Sequence, residues 1–533
     1  MPSAIYHPSI RTLADTAAFH GRRQPEHTAI ICEGHAVTYG QLHRESNRTA
    51  HALHAHARGN SHSHRHQPRV AHLGKDSAHF FDILFGCAKS GTTLVPLNWR
   101  LTAGEIAHIL RDSGAEMLFV GAEFLGMAEK VGTELPEPPA LVLLDQPDAV
   151  GAGFLAWKAE HPDTDLDTNP APEDPLVQVY TSGTTGRPKG VVLAHRSFFT
   201  IRDRLAEHNL DWVDWQLGDV NLISVPGFHV GGLWWAIQGF SAGITNVVTP
   251  MFVSRDAIDL IRKHGITTTC LVPAMLQMML AEPGVSHADF TTLRKVAYGS
   301  SPITEKLLQQ CLATIGCEFT QIYGLTECGM AAVFLPPDEH VVGGPRMKAA
   351  GRPCPGIDLK IVDDRRRPLS VHTVGEICIR TPARMLEYWG LPDATADTLV
   401  DGWIHTGDAG YLDEDGFLFI CDRINDTIIV AGENIYPAEI ENALAGHTGV
   451  FEAAVVGIPD DRWGEAVHAF VVPQPGQHVS PRELMLFLKG TIADFKIPTS
   501  YALIDQLPRN PSGKVLRRIL RDQFWQHRER KIN

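Results

Sequence analysis

The segment Tyr180-Thr-Ser-Gly-Thr-Thr-Gly-Arg-Pro-Lys-Gly190 brings hydroxyl side chains, glycines and a lysine together directly after an apolar run. Glycines let backbone N–H groups approach a phosphate, hydroxyl groups add hydrogen-bond donors, and Lys189 adds a mobile positive charge. The order of these residues is not that of a Walker A loop, G-x-x-x-x-G-K-S/T. The composition nevertheless predicts a phosphate-binding loop. Its contacting residues are Thr181, Ser182, Gly183, Thr184, Thr185 and Lys189.

The elements that must position this loop are predicted to form α/β layers, because strand-like apolar runs alternate with helical patterns in the first half of the chain. The predicted strands are Thr28–Cys32, Arg69–Leu73, Met117–Val120 and Leu141–Leu144, and the helical stretches between them include Gly40–Ala55 and Ala103–Asp112. Leu176–Tyr180 is predicted to be a buried strand that runs into the loop.

The last part of the chain shows a separate pattern, typical of a small α/β unit. The strands expected there are Thr427–Val430, Glu452–Gly457 and Ala466–Val472, with a helix at Pro437–Leu444. Ser480-Pro-Arg-Glu483 matches a helix-capping box with proline at the first helical position. The apolar face of that helix is predicted to be Leu484, Phe487, Leu488 and Ile492. We place the domain boundary near Asp422–Asp426.

Composition excludes several classes of protein. At 533 residues the chain is too long for one ordinary core, so two or more domains are expected. A formal net charge of −14 argues against a nucleic-acid binder. No signal peptide is visible, and the apolar windows are too short or interrupted for stable membrane insertion. The nine cysteines form no C-x-x-C pair, which indicates reduced thiols and predicts a cytoplasmic protein.

A histidine-rich patch lies between His51 and His72. It could be a metal site, but ligation needs fixed geometry and supporting hydrogen bonds. The Gly59-Asn-Ser-His-Ser-His-Arg sequence favours a solvated loop instead.

Four further motifs follow the loop in order. They are Gln321-Ile-Tyr-Gly-Leu-Thr-Glu327, His405-Thr-Gly-Asp408, the run from Asp422-Arg-Ile-Asn to Ala438-Glu-Ile-Glu441, and Pro508-Arg-Asn-Pro-Ser-Gly-Lys514. With the loop, they resemble the motifs of the adenylate-forming superfamily, which contains acyl-CoA synthetases, peptide-synthetase adenylation domains and beetle luciferases. The resemblance covers nearly the whole chain. It implies a large multi-subdomain N-terminal domain over residues 1–423 and a small, mobile α+β C-terminal domain over residues 426–533.

The chemistry implied by the resemblance is in-line attack of a carboxylate on the α-phosphorus of ATP, with pyrophosphate as the leaving group. Two anions must meet, so the site must neutralise charge and align the reactants. Lys514 is implied to bridge the carboxylate and the α-phosphate, and Thr326 to donate to that phosphate. Glu327, with Thr184, is implied to hold Mg²⁺, a hard cation that prefers oxygen ligands.

The nucleotide site implied by the resemblance joins several motifs. Tyr323 should lie against the adenine, and Asp408 with Arg423 should bind the ribose hydroxyls. Taken alone, Tyr323 or Asp408 would more often be structural; the surrounding motifs favour binding. The further nucleotide contacts are Gly299, Ser300, Ser301 and Gly324.

The acid pocket is implied to begin at His229, a predicted catalytic residue within Pro226-Gly-Phe-His229, which matches the family segment carrying an aromatic gate. The alternative is that His229 is a packed core histidine. Its lining is predicted to be His229, Gly231, Trp234, Trp235, Gly299, Gly324 and Met330. If Trp235 points inward, one helical turn from Gly231, the pocket is closed at depth and favours an aryl, arylpropenoic or short acid. The alternative is that both tryptophans pack against neighbouring helices.

The second half-reaction is implied to follow a rotation of the C-terminal domain that withdraws Lys514 and brings in Gly432, beside which a pantetheine arm would pass. The family hinge residue is usually Asp or Lys, whereas here it is Asn425. Asparagine tolerates unusual backbone angles but lacks the charge.

Coenzyme A is the default acceptor for such a chain, giving an acid–CoA ligase that uses ATP, Mg²⁺ and a small carboxylic acid. The alternatives are an adenylating enzyme with another acceptor (a carrier protein, an amine, or nitrite in an aryl diazotisation) and a non-catalytic binding protein. Retention of Lys514, Glu327 and Asp408 argues against the last. A homodimer is compatible with the sequence.

Overall fold

The computed structural model of the chain describes residues 5–59, 67–144, 153–181, 188–301, 303–430, 433–460, 462–509 and 515–526. Its helices are α1 (Leu13–Arg23), α2 (Tyr39–Gly59), α3 (Ala78–Ser90), α4 (Ala103–Ser113), α5 (Leu125–Glu134), α6 (Phe154–Ala159), α7 (Arg196–Glu207), α8 (Val230–Ala242), α9 (Ser254–His264), α10 (Pro273–Leu280), α11 (Glu305–Ile315), α12 (Pro392–Thr398), α13 (Pro437–Ala445), α14 (Pro481–Leu488) and α15 (Arg517–Trp525).

Its strands are β1 (Thr28–Cys32), β2 (His35–Thr38), β3 (Arg69–Leu73), β4 (Thr93–Leu97), β5 (Met117–Val120), β6 (Ala140–Leu143), β7 (Pro175–Thr181), β8 (Lys189–Ala194), β9 (Val220–Ile223), β10 (Thr245–Val248), β11 (Thr268–Leu271), β12 (Lys295–Gly299), β13 (Glu318–Tyr323), β14 (Val333–Leu335), β15 (Arg352–Pro353), β16 (Asp358–Val362), β17 (Gly375–Arg380), β18 (Glu387–Tyr388), β19 (Leu399–Val400), β20 (Trp403–Leu412), β21 (Leu418–Arg423), β22 (Ile428–Val430), β23 (Glu433–Ile435), β24 (Val450–Asp460), β25 (Gly464–Pro473) and β26 (Ser500–Leu503). The predicted strands of the first half are confirmed to within one residue, and α2 and α4 extend the predicted helices.

A nine-stranded sheet carries most of the loops that bear predicted site residues. Its order is β15-β14-β13-β12-β11-β9-β10-β1-β2, and the strands from β13 to β1 in this order run parallel. Parallel strands bring their carboxyl ends to one edge, where open α/β sheets bind ligands. The loops after β9, β12 and β13 leave this edge, and they carry His229, Ser300 and Gly324.

A seven-stranded sheet holds the hairpin of the phosphate loop. Its order is β18-β8-β7-β4-β3-β5-β6, and antiparallel pairing of β7 with β8 sets Thr181 opposite Lys189. The predicted strand Leu176–Tyr180 lies within β7 and is confirmed. A third sheet, β16-β17-β20-β19 with β21 beside β20, sets Asp408 opposite Arg423.

The residues after Asp426 form a small unit with apolar cores of its own. Its sheet has the order β23-β22-β25-β24, with β26 beside β25. Ser480 caps α14 in the predicted capping box with Glu483. Leu484 and Leu488 are buried as predicted, whereas Phe487 is 37% exposed and contacts His447 by its edge.

The predicted fold class is therefore confirmed: an α/β chain with a large first domain and a small second one. The limits 1–423 and 426–533 stay predictions. None of the described helices is long and apolar enough to span a membrane.

A buried ion pair joins α3 to α6 beneath the second sheet. Lys158 pairs with Asp82, whose other oxygen accepts a hydrogen bond from the Thr49 hydroxyl at 2.7 Å. The side chains of Lys158 and Asp82 are 2% and 7% exposed. Removing Asp82 would leave the Lys158 ammonium group buried. Among the described residues, its remaining carboxylate partner would be the more exposed Glu45.

We therefore expect Asp82→Ala to lower the free energy of unfolding by about 3 kcal/mol, because an uncompensated buried charge is costly. Urea unfolding followed by circular dichroism measures the loss. The control is Asp358→Ala, which removes a solvent-exposed pair with Arg380 and should cost less than about 1 kcal/mol. Equal losses in the two variants would contradict the prediction.

Candidate active site

Asp408 is the point at which three segments of the chain meet. The Tyr323 hydroxyl donates to its Oδ2 at 2.8 Å, and Arg423 Nε lies 2.8 Å from its Oδ1. Asp408 itself is buried. Burial, reinforced by the Asp408 carboxylate, raises the pKa of Tyr323, so the phenol remains a donor at neutral pH. Each carboxylate oxygen can accept a second hydrogen bond, which leaves capacity for ribose hydroxyls.

Glu376 holds the irregular turn within β20 that carries Asp408, where the pairing with β17 shifts register. One of its carboxylate oxygens accepts the N–H of Gly407 at 3.1 Å, and the other lies 2.7 Å from His405 Nδ1. The Thr406 hydroxyl accepts the N–H of Asp408 at 3.1 Å. Gly407 has a φ of +69°, a conformation that favours glycine. Glu376 was missed by sequence reasoning, because it lies on β17 and reaches the turn only through strand pairing with β20.

Glu327, the predicted metal ligand, lies with Thr326 in a single 3₁₀ turn directly after β13. Its Oε1 accepts a hydrogen bond from the Tyr388 hydroxyl at 2.6 Å, and its carbonyl oxygen accepts the N–H of Met385 at 2.7 Å. Lys189 lies over the Tyr388 ring, 4.8 Å from the centroid. Tyr388 therefore joins the predicted metal ligand to the phosphate-loop hairpin, although no sequence motif pointed to it.

The carboxylate of Glu327 fits a hard cation. The hydrogen bond from Tyr388 engages Oε1, which leaves Oε2 for Mg²⁺. Burial, together with Glu327, raises the pKa of Tyr388, so its hydroxyl stays protonated and orients the carboxylate. A bound Mg²⁺ would neutralise phosphate charge at this position. The other predicted ligand, Thr184, lies outside the described residues.

The base of the phosphate loop is anchored by a polar network. The Tyr180 hydroxyl donates to Asp112 Oδ2 at 2.6 Å and accepts from Gln178 Nε2 at 2.9 Å. The indole N–H of Trp389 donates to the carbonyl oxygen of Asp112 at 3.0 Å. The network fixes the strand ends from which the loop departs. Ser182, Gly183, Thr184 and Thr185 lie outside the described residues, and their roles stay predictions.

The glycines beside the nucleotide motifs are required by backbone packing. A Cβ on Gly299 would lie 2.2 Å from the carbonyl oxygen of Ile322, and one on Gly324 would lie 1.9 Å from that of Met330. Ser300 and Met330 themselves adopt left-handed angles, with φ of 68° and 84°. These glycines are therefore constrained by neighbouring strands and turns, in addition to the ligand approach that the sequence suggested.

On the acid side, His229 caps the N-terminus of α8. Its Nδ1 accepts the N–H of Gly231 at 3.2 Å. A Cβ on Gly231 would lie 3.6 Å from Ser300 Oγ, so α8 begins in contact with the loop after β12. Gly232 is also required, because a Cβ there would lie 2.3 Å from the carbonyl oxygens of Val225 and Pro226.

The two tryptophans of α8 make the contacts of core residues. Trp235 donates its indole N–H to Asn221 Oδ1 at 2.6 Å and its ring lies 5.0 Å from that of Trp215. Trp234 and Trp235 are only 1% and 3% exposed. The packing alternative is thus the one that the contacts favour, and the inference of a pocket closed by Trp235 finds no support in them.

The segment that carries the predicted catalytic lysine starts and ends in a cleft between the two domains. Arg509 and Val515 form a β-bridge that flanks residues 510–514, and both line a cleft of about 360 Å³ with Ser301 and Lys306 of the large domain. Lys514 itself lies outside the described residues, as do residues 431–432 with Gly432. The bridge between Arg509 and Val515 nevertheless places the two ends of segment 510–514 in the same cleft as Ser301 of the loop after β12.

The hinge region is surrounded by ionic contacts. Arg517 of α15 lies 2.6 Å from Glu441, 3.7 Å from Asp422 and 3.8 Å from Asp426. Burial raises the pKa of Asp422 to about 6, against the opposing effect of Arg517. The side chain of Asn425 lies outside the described residues, so the consequence of asparagine at the hinge stays a prediction.

The histidine patch does not converge in the part of the chain that the structure describes. His51 is on α2 and bonds the carbonyl oxygen of Thr164, whereas His72 is buried in β3, where burial lowers its pKa to about 3. The described residues contain one group with metal-ligand spacing, Glu376, Cys378 and His405. His62, His64 and His66 lie outside the described residues.

Two known protein families match the sequence of this chain. The AMP-binding enzyme family matches residues 17–389, and the AMP-binding enzyme C-terminal domain matches residues 439–514. The chain belongs to the AMP-binding enzyme family, the adenylate-forming superfamily that the motifs indicated. It is an AMP-forming ligase that binds ATP and activates an acid as its acyl-adenylate.

Individual proteins of known function and known structure are similar to nearly the whole chain. The chain is 59% identical, over 99% of both chains, to the fatty acid–[acyl-carrier-protein] ligase ScoC of Streptomyces coeruleorubidus. It is 37% identical to the indoleacetate–CoA ligase of Aromatoleum aromaticum, over 93% of this chain and 95% of that one. The structure of ATP-bound MatB from Rhodopseudomonas palustris superposes with a TM-score of 0.85 at 26% identity, over 96% of this chain and 99% of that one.

Tyr388→Phe removes the hydroxyl that orients Glu327. We expect the apparent KM for MgATP to rise about three- to tenfold, because one hydrogen bond to a charged group is lost. The KM for the acid should stay within twofold of the wild-type value. Acid-dependent ATP–pyrophosphate exchange measures both constants. Tyr411→Phe, which alters a ring stacked on Phe419, is the matched control and should leave both unchanged. Equal effects of the two substitutions would rule out this role for Tyr388.

Glu376→Ala removes both hydrogen bonds that hold the turn before Asp408. We expect weaker nucleotide binding, with about a tenfold rise in the dissociation constant of AMP measured by calorimetry. Glu387→Ala, at an exposed position on β18, serves as the control. Unchanged AMP affinity in a folded Glu376→Ala protein would contradict the assignment.

Proposed function

We propose that the protein activates a fatty or similarly apolar carboxylic acid as an acyl-adenylate and transfers the acyl group to the phosphopantetheine thiol of an acyl carrier protein. The observation that carries the acceptor is the 59% identity, over nearly the whole of both chains, to a fatty acid–[acyl-carrier-protein] ligase. Coenzyme A, which the sequence analysis put first, is supported only by more distant relatives such as the indoleacetate–CoA ligase at 37% identity.

In the first half-reaction, a carboxylate oxygen of the acid attacks the α-phosphorus of ATP, the bond to the β-phosphate oxygen breaks, and pyrophosphate leaves. Asp408, Arg423 and Tyr323 would hold the nucleoside end, and Glu327 with Lys189 would face the phosphates. Lys514 would lie between the carboxylate and the α-phosphate, where a positive charge offsets the repulsion of two anions. His229 and Gly231 would border the acid.

In the second half-reaction, the thiol sulfur attacks the acyl carbon and the bond to AMP breaks. The thiol proton is released to solvent, and AMP leaves with both electrons of the broken bond. The small domain would rotate between the two steps, so that one site serves both. The ionic contacts of Arg517 around the hinge would be exchanged during that rotation.

The acceptor is tested by incubating the protein with ATP, Mg²⁺ and fatty, cinnamic and indoleacetic acids. Each acid is assayed with a panel of phosphopantetheine-loaded acyl carrier proteins, their apo forms, or coenzyme A. We expect mass spectrometry to show acylation of a loaded carrier protein and none of its apo form, with acyl-CoA formed at least tenfold more slowly. Faster formation of acyl-CoA with the same acid would return coenzyme A to first place.

The role of Lys514 is tested separately. We expect Lys514→Ala to lower acid-dependent ATP–pyrophosphate exchange by at least about 100-fold, since it removes the charge that offsets the meeting anions. Thioester formation from a supplied acyl-adenylate should fall far less. Lys489→Ala, at an exposed lysine of the same domain, is the control. Exchange at the wild-type rate in Lys514→Ala would remove the lysine from the proposed chemistry.

A further inference from the structure

Asp76 is a buried carboxylate in the turn between β3 and α3. It is 5% exposed, and its two oxygens accept the N–H of Gly227 at 2.8 and 3.1 Å. Among the described residues, no lysine, arginine or histidine forms an ion pair with it. A buried carboxylate usually has a cationic partner. Asp76 instead accepts a hydrogen bond from one backbone N–H, that of Gly227, which belongs to a different segment.

The segment that Asp76 holds, residues 226–229, is also fixed by close packing at Gly227 and by a backbone hydrogen bond of its own. A Cβ on Gly227 would lie 2.5 Å from the Phe80 ring, so the residue must be glycine. The N–H of His229 donates to the carbonyl oxygen of Pro226 at 3.0 Å, which closes the turn. Residues 226–229 are therefore a tight turn, and Asp76 fixes it to the turn between β3 and α3.

The same turn leads directly to the acid side of the site. His229 is its last residue, and its Nδ1 accepts the N–H of Gly231 at the start of α8. Gly231 in turn lies against Ser300. A displacement of Gly227 would thus move the His229 ring and the first turn of α8, while Asp408 and Arg423 belong to a different sheet.

We infer that Asp76 is a positioning residue for the acid: its carboxylate holds Gly227 and thereby sets the place of His229 at the mouth of the acid pocket. The inference rests on the acid-activating half of the proposed function. It does not depend on which thiol receives the acyl group.

The titration of Asp76 supports this role. Burial raises its pKa to about 7, although the Gly227 N–H lowers it. Above that pH the carboxylate is ionised and accepts strongly; below it, the protonated group holds Gly227 more weakly. The titratable groups next to Asp76 along the chain are His72, Lys75 and His79. Cys32 on β1 interacts with its charge, and His229 lies on the turn that it holds.

The same pKa has a consequence for stability. A carboxyl group whose pKa is raised from about 4 to about 7 on folding makes the folded state less stable as the pH rises through that range. The ionised group therefore lowers stability at pH 8. A charge retained at such a cost, next to the turn of a binding site, is typical of a functional position.

The test compares Asp76→Ala with Asp76→Asn in acid-dependent ATP–pyrophosphate exchange. We expect Asp76→Ala to raise the KM for the acid about tenfold and to leave the KM for ATP within twofold. Asp76→Asn keeps an acceptor for Gly227 and should stay within about threefold of wild type. Between pH 8 and pH 6 the acid KM of the wild type should rise by up to about threefold, toward that of Asp76→Asn, whose own acid KM should not change.

Thermal unfolding gives an independent measurement. Asp76→Asn should raise the midpoint relative to wild type more at pH 8 than at pH 6. The control is Asp219→Asn, which alters another buried carboxylate, paired with Arg294 at the opposite edge of the nine-stranded sheet. It should change stability and leave the acid KM unchanged.

The possible results separate the two proposals. A folded Asp76→Ala protein with a wild-type acid KM, or with equal rises in the KM values for acid and ATP, would overturn the role of Asp76 and leave acid activation intact. Wild-type protein that shows no exchange with any acid would remove the proposed function, and this inference with it.

Discussion

A single buried carboxylate, Asp408, sets the geometry on which the nucleotide side of the site depends. It accepts from Tyr323 at the end of the nine-stranded sheet and pairs with Arg423 at the end of β21, just before the hinge. A buried charge needs such partners, because it has lost its solvation by water. Asp408 therefore contacts residues of two sheets, and one of them, Arg423, lies directly before the second domain. Glu376 then fixes the turn that presents the carboxylate.

The three ends of the proposed site are supported by different elements of the fold. In the proposed site, pairing of β17, β20 and β21 would hold the nucleoside end, the β7–β8 hairpin and Tyr388 the phosphate end, and α8 with the turn before it the acid end. An enzyme built in this way can keep its use of ATP constant while the acid it activates varies, which agrees with the range of acids among its relatives.

The small domain touches the large one mainly across a cleft and at the hinge. Lys306 donates to the carbonyl oxygen of Ala445 at 3.3 Å across that cleft, and Arg517 joins the hinge aspartates to α13. The Lys306 contact is polar and can be exchanged for contacts with water at little cost in free energy, whereas the Arg517 contacts are largely buried. The polar contact across the cleft is compatible with the rotation that we propose for the small domain.

Much of this could be predicted from the sequence. Phosphate binding needs particular residue types close together along the chain, so the loop at 180–190 was visible as a short pattern. The Tyr323–Glu327 and Asp408 motifs were recognised only through their resemblance to the adenylate-forming superfamily. The strands, the capping box of α14 and the two-domain organisation followed from periodicity and turn residues. The thiol that accepts the acyl group could not be predicted from the sequence, because the adenylation motifs are not expected to contact it. Comparison with relatives was needed to favour a carrier protein over coenzyme A.

Only the tertiary structure could decide the rest, because the deciding contacts join residues far apart in the chain. Tyr388 meets Glu327, Glu376 meets His405, and Asp76 meets Gly227 through strand pairing and loop packing that leave no local pattern. The tryptophans of α8 had two equally acceptable interpretations until Trp235 was found bonded to Asn221. The sequence by itself thus predicted the chemistry at the phosphates, because the residues expected to contact them lie in short motifs. The tertiary structure decided which side chains hold those motifs in place.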